Sequence, residues 1–193
     1  MFNAFATLGG NIVFYRELLV QMPHENALAM VMAHEMAHVI HRDALAASSG
    51  GVATLLALQM LTGDFGSSGS VFTKTGSLAQ LKFGRDMESS ADSLALSALA
   101  GHYGHVAGAD TLFRILTETR AGEGGVATDA AGEGKRVARW LSEFGSSHPL
   151  DYNRIDALST LANEMAWPHE GDLTPLPAAF TLWLKKPQPE SVD

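Results

Sequence analysis

The stretch from Glu25 to Ser49 contains neither Pro nor Gly and is rich in Ala, Leu and Met. Those are strong helix formers, so one long helix is predicted over 25–49, closed by Gly50-Gly51. Between Asn26 and His34 it carries no formal charge, which predicts a helix buried on most sides. In its middle stands His34-Glu35-Met36-Ala37-His38. Two His and a Glu are costly in a buried helix unless something holds them. At a spacing of four the imidazoles share a face, about 6 Å apart along the axis, and can converge on one tetrahedral zinc. Glu35 is rotated about 100° from His34, so its carboxylate reaches a metal-bound water more easily than the metal itself. H-E-x-x-H on a helix is the pattern of a metalloprotease whose Glu is the general base.

A catalytic zinc needs a third protein ligand and an open position. His41 shares a face with His34, but it lies one turn beyond His38 and would have to reach back past it. The spacing favours a supporting or surface role for it. Glu88-Ser89-Ser90-Ala91-Asp92 offers a better source, on a helix predicted over Ser77–Ala100 with Gly84 inside it and Gly101 as its stop. Glu88 and Asp92 are four apart and share a face. Glu88 can ligate the metal, and Asp92 can accept an N–H from a ligating imidazole and fix its tautomer. Taken without H-E-x-x-H, the same pair fits a solvated acidic face with Asp86.

The remaining chain reads as a single α+β domain, mainly α. Asn3–Thr7 and Asn11–Tyr15 are short β-like runs, with Gly9-Gly10 as the hairpin turn between them. Arg16–Met22 is a short helix stopped by Pro23. A second helix is predicted within Val52–Leu61, too short to span a bilayer core of roughly 30 Å. Gly63–Ser77 reads as a Gly/Ser loop. Asp110 caps a helix through Arg120, and Lys135–Phe144 and Asp151–Ala166 are further helices, the last stopped by Trp167-Pro168. The catalytic body is expected over 1–167, with 121–134 a flexible loop, and 168–193 as a Pro-containing extended tail packed on it.

The 193 residues carry 13 Lys and Arg against 21 Asp and Glu, a net charge of −8. The cations are scattered, which argues against nucleic acid as a partner. There is no cysteine, so thiolate–zinc sites and a Cys nucleophile are excluded. Met1–Gly10 lacks a basic segment followed by an apolar one, so no secretory signal is expected there. The abrupt strand-like start reads as that of a fragment of a longer protein.

Asn3-Ala4-Phe5-Ala6, Gly9-Gly10, His34–His38, Glu88–Asp92, then Ser147-His148-Pro149 with Arg154-Ile155, follow one another in a set that resembles peptidase family M48. This is the HtpX-like and CAAX-prenyl-protease-like group of gluzincin metallopeptidases, and the likeness runs from about Asn3 to Leu161. The resemblance implies a zincin-like fold and one zinc ion per chain, held by His34, His38 and Glu88. It makes Glu35 the general base and Asp92 the orienter of a ligand. It sets His148 near the metal, either donating to the oxyanion or occupying the open metal position in a resting state. By residue chemistry alone, His148 is an exposed loop histidine. Arg154 stands between an active-site role and a helix-surface ion pair. Relatives carry a helix and strands before the Asn-Ala-Phe-Ala run, so the receiving sheet is expected to be incomplete. Some also carry membrane segments after the H-E-x-x-H helix, which leaves membrane association of the full-length protein open and suggests a bacterial cell envelope.

The reaction this predicts is peptide-bond hydrolysis of a protein or peptide substrate. The strand edge at Asn3, Ala4, Phe5 and Ala6 is expected to receive the substrate by backbone pairing. Such recognition reads shape, which suits unfolded or misassembled proteins. The rival reading is a latent-site, chaperone-like module that binds clients or partners. A purely structural zinc site is disfavoured, because it has no use for Glu35.

Overall fold

The computed structural model describes residues 1–7, 9–47, 83–121, 139–140, 142–148 and 153–186. The helix expected at Val52–Leu61, the loop at Gly63–Ser77 and residues 122–134 of the Gly-rich excursion lie outside them. The chain opens with a hairpin. Strand β1 (Ala4–Ala6) pairs antiparallel with β2 (Ile12–Phe14), with Phe5 opposite Val13. Gly10 supplies the left-handed turn residue at φ 77°. Among the described residues the sheet has these two strands only.

Helix α1 (Arg16–Gln21) comes next and is left before Pro23. Helix α2 (Glu25–His41) carries the H-E-x-x-H sequence. The His24 side chain caps its start, accepting the N–H of Ala27 at 3.1 Å. Here the expected span is corrected. The helix does not run to Ser49, because Arg42 turns left-handed at φ 59° and its N–H closes on the carbonyls of His38 and Val39. Beyond the turn lies a separate helical stretch, 43–47. The change of direction swings Asp43 back beneath His38.

Helix α3 (Arg85–Tyr103) packs along α2. Gly84 is its N-cap rather than an interior residue, and Gly101 lies inside it; the left-handed stop at φ 77° is Gly104. Phe83 is held out of the helix by its N–H bond to Ser147 O at 3.2 Å and by stacking on the His38 ring. Helix α4 (Thr111–Ala121) begins right after Asp110, whose carboxylate pairs with Arg114. A helical stretch at 142–147 extends the expected Lys135–Phe144 helix through Gly145 and Ser146 to Ser147. Helix α5 (Asn153–Glu164) ends in a turn at Ala166, just before Trp167-Pro168.

The tail does pack on the body. Thr174 O accepts the N–H of Glu25, and the Thr174 N–H reaches Asn26 Oδ1, both at 2.8 Å. It then forms an unforeseen helix α6 (Ala178–Lys185), whose last carbonyls are met by the guanidinium of Arg16. Eight residues behind Pro177 give too short a period to stand out in the sequence.

Apolar side chains gather on two sides of α2. One cluster joins Ala27 and Val31 to Phe2, Leu18, Leu112, Trp140, Phe144 and Leu184. The other joins Met30 to Leu96 and Leu99 of α3, Phe113 of α4 and Leu158 of α5. The helix is thus buried on most of its circumference, save for an exposed stripe of Met32, Met36 and Ile40.

Candidate metal centre

One turn of α2 and the first turns of α3 place the polar residues between these clusters. His34, Glu35, His38, Glu88, Asp92, His148 and Arg154 are all buried. His34 and His38 bring their Nε2 atoms to 3.0 Å of each other. Glu88 faces both, with one oxygen 3.4 Å from each Nε2. His148 joins from the end of the 142–147 stretch, its Nδ1 3.1 Å from Glu88 Oε1. One ligand atom from each of His34, His38, Glu88 and His148 lies within 4.8 Å of the other three.

Carboxylates stand behind the imidazoles. Asp92 Oδ1 is 2.9 Å from His34 Nδ1, at ion-pair distance though poorly aligned for a hydrogen bond. Asp43 Oδ2 accepts from His38 Nδ1 at 2.7 Å. Arg154 bridges the two acids of α3, bonding Asp92 at 2.6 and 2.7 Å and Glu88 at 2.8 Å, with its guanidinium over the Phe113 ring. It belongs to the buried cluster and makes no helix-surface ion pair.

Burial opposes charge on His34, Glu35, Glu88, Asp92, His148 and Arg154, and their neighbours override it. Burial raises the Glu88 carboxyl, but His148, His34 and His38 bring it well below the usual carboxylate range. Burial likewise raises Asp92, and His34 with Arg154 reverses that. Glu35 is held low against burial chiefly by the charge of His148. His148 is pulled down by burial, yet Glu35 and Glu88 push it up to about 10.

Two observations test whether these residues fit a cation. Asp43 holds the Nδ1 of His38 and Asp92 stands beside that of His34, so the two Nε2 atoms face each other and Glu88. A divalent cation between these atoms would be liganded by all three. The charges point the same way. Four buried carboxylates, Glu35, Asp43, Glu88 and Asp92, share the site with one guanidinium, Arg154, and three imidazoles, of which His34 and His148 are pushed up by their acidic neighbours. Buried charges of that kind are paired or coordinate metals. The donor set therefore fits one divalent ion.

Glu35 is fully buried, and neither of its carboxylate oxygens has a hydrogen-bond partner. Its Oε1 is 3.2 Å from His148 Nε2, and it is not one of the grouped ligand atoms. A cavity of about 20 Å³ touches Glu35, His34, Asp92 and Arg154. That is room for a single water.

The residues singled out in the sequence fall into three groups. His34, His38, Glu88 and His148 converge, with Glu35, Asp92 and Arg154 packed around them. His41 stays outside, exposed, 3.9 Å from Asp43. Asn3 lies before β1 and its carbonyl accepts from Tyr15 on the β2 side, while its side-chain amide is fully buried and bonded to Ser147 and Glu143. Asp43 is the residue that sequence reasoning missed. Its signal was a carboxylate five positions past the second His, visible only to a reading that ended the helix at Arg42.

Histidines from a buried H-E-x-x-H helix, a Glu from a second helix packed on it, and a mainly helical body with a small sheet define a zincin-like metallopeptidase site. The model of Peptidase family M48 matches residues 1–162, and the chain belongs to that family. It is accordingly a metallopeptidase, a hydrolase of protein or peptide substrates. Curated proteins and solved structures give no significant match. No helix among the described residues is long and apolar enough to cross a membrane.

Proposed function

We propose that the chain is a zinc-dependent metalloendopeptidase of the HtpX-like kind that acts on unfolded or misassembled proteins of the cell envelope. His34, His38 and Glu88 hold one zinc ion. Asp92 and Asp43 keep the two imidazoles oriented, and Arg154 steadies Glu88 and Asp92. The chemistry a bound zinc supplies is polarisation of the scissile carbonyl and acidification of a water. Glu35 takes the proton of the attacking water on a carboxylate oxygen and returns it to the leaving amine. His148 Nε2, which lies 3.2 Å from both Ala4 O and Glu35 Oε1, would have to turn from these partners to donate to the developing oxyanion.

The single observation that carries this reading is Glu35, a fully buried carboxylate beside the donor cluster with no hydrogen bond of its own. A structural metal site has no use for such a group, whereas a general base belongs beside the metal; its ion-pair neighbour is His148, 3.2 Å away. Substrate pairing at β1 is supported by its register. The bonds Tyr15 N–H to Asn3 O and Thr7 N–H to Asn11 O point the backbone groups of Ala4 and Ala6 away from β2. Those of Ala4 are taken by the Asn3 side chain and by His148 Nε2 at 3.2 Å. Ala6 is where an extended chain can pair.

Glu35→Gln is expected to abolish casein or peptide cleavage, roughly a hundredfold or more, with zinc content unchanged. Full activity in that variant overturns the assignment of the base. The latent-site module draws on one observation, that His148 completes a set of four donors. Client binding without cleavage by the zinc-loaded wild type would favour it.

A further inference from the structure

The turn that ends α2 also shapes a groove. It has a volume of about 480 Å³ and is lined by Thr7, Gly9, Gly10, His38, Val39, Arg42, Ala44 and Leu45. His38 at one side ties it to the metal centre. Gly9 and Gly10 add no side chains to the wall they form, and Val39, Ala44 and Leu45 make an apolar flank. Arg42 is exposed on this groove. Asp43, its neighbour in sequence, is committed to His38. The Arg42 side chain has no hydrogen-bond or ion-pair partner among the described residues. In a chain of net charge −8, this is an exposed cation beside the buried site, whose own guanidinium, Arg154, is held by Glu88 and Asp92.

We propose that Arg42 is a specificity-determining residue: the groove takes a stretch of substrate bearing a carboxylate, and the Arg42 guanidinium pairs with it. This rests on the peptidase reading and names the substrate class for it. Arg42 is one helical turn past His38, about 6 Å along the axis. An extended chain advances about 3.4 Å per residue, so the carboxylate is expected within about three residues of the scissile bond. The planar guanidinium can bind it in a bidentate fashion. The carboxylate is either an internal Asp or Glu side chain or the terminus of a chain that ends there.

Peptides that differ at one position, walked from three residues before to three after the cleaved bond and bearing Glu, Gln or Lys, test this. A parallel pair ends at the favoured position as free acid or amide. For the wild type, Glu is expected to exceed Gln in kcat/KM by roughly three- to tenfold at one position, an advantage that shrinks with added salt. Arg42→Asn keeps a residue that tolerates the left-handed turn and is expected to bring the ratio to about one. Arg42→Glu is expected to invert the preference toward Lys. A Glu advantage that survives Arg42→Asn, or none at any position, overturns the proposal. Preference for internal Glu identifies a side chain as the source, and preference only for the free-acid peptide identifies a chain end. The same labelled peptides binding to the Glu35→Gln protein read the groove without cleavage. Absence of turnover with a retained Glu-over-Gln binding preference would sink the peptidase reading and leave the groove assignment standing.

Discussion

Asn3 uses both ends of its amide inside the protein. Its Nδ2 donates to Ser147 Oγ at 3.1 Å, and its Oδ1 accepts from the N–H of Ala4 at 2.9 Å. Ser147 in turn accepts the N–H of Phe83 on its carbonyl, and the next residue is His148. One buried amide–hydroxyl pair therefore ties β1, the approach to α3 and the His148 turn together. Removing one partner costs the other a hydrogen bond in a site closed to water, although Asn3 keeps Glu143 O and Ser147 keeps Phe144 O, so Asn3→Ala and Ser147→Ala are each expected to cost about 1–2 kcal/mol of stability. The double variant is expected to cost less than their sum, by about 1 kcal/mol or more. Urea unfolding of the set checks this, and strictly additive losses would show that the two side chains act independently.

At the scale of elements, the ends of α3 make the most direct test of backbone chemistry. Gly101 is exposed, helical and has nothing within 4 Å of the position a Cβ would take. Gly104 has the same open space but sits at φ 77°. Gly101→Ala is expected to stabilise the protein by about 0.5–1 kcal/mol, because Ala loses less entropy in a helix. Gly104→Ala is expected to destabilise it by about 1 kcal/mol, because a Cβ is strained in the left-handed region. Thermal melts of the two variants should move in opposite directions.

The same two glycines mark the limit of what the sequence could reveal. The existence of α2, α3 and α5 was legible from composition and spacing, and the site residues from H-E-x-x-H plus the acidic pair at the same spacing. Their ends were not. Two glycines near the end of α3 give the same local signal, and only tertiary contact decides which one adopts positive φ. The Arg42 turn is less visible still. A left-handed Arg has no sequence signature, and the turn is stabilised by its C-terminal neighbour, Asp43, folding back to His38. Without that turn neither the second carboxylate behind the imidazoles nor the groove beside Arg42 could be anticipated. The burial of His148 was hidden for a similar reason. The residues that exclude water from it, Phe144 and Phe83, stack on it or tilt against it from separate segments.

For the molecule as a whole, the buried charges set how stability depends on pH when no metal is bound. Glu35, Glu88 and Asp92 have folded-state pKa values below their ordinary ones. Their contribution is complete above the unfolded carboxylate range, about 4, and is lost as pH falls through the folded values. His148 behaves in the opposite sense. Its folded pKa is raised to about 10, so its contribution is complete below the unfolded value of about 6.5 and is lost as pH climbs toward 10. The two windows overlap between about pH 4.5 and 6.5. Metal-free protein is expected to be most stable there and to weaken on both sides, the growing negative charge of the chain adding to the alkaline loss. A divalent ion takes over the compensation of Glu88 and competes with protons for the imidazoles. Zinc is therefore expected to stabilise little near pH 5 and strongly near pH 8. Melting temperatures between pH 4 and 9, with chelator and with zinc, measure both limbs. In the chelated protein His148→Gln should flatten the alkaline limb and shrink the acid limb as well, because the same imidazolium leads in holding Glu35 and Glu88 low, while Asp92 keeps its Arg154 partner. An alkaline limb of unchanged slope in that variant would mean that the charge balance of the buried cluster does not depend on His148.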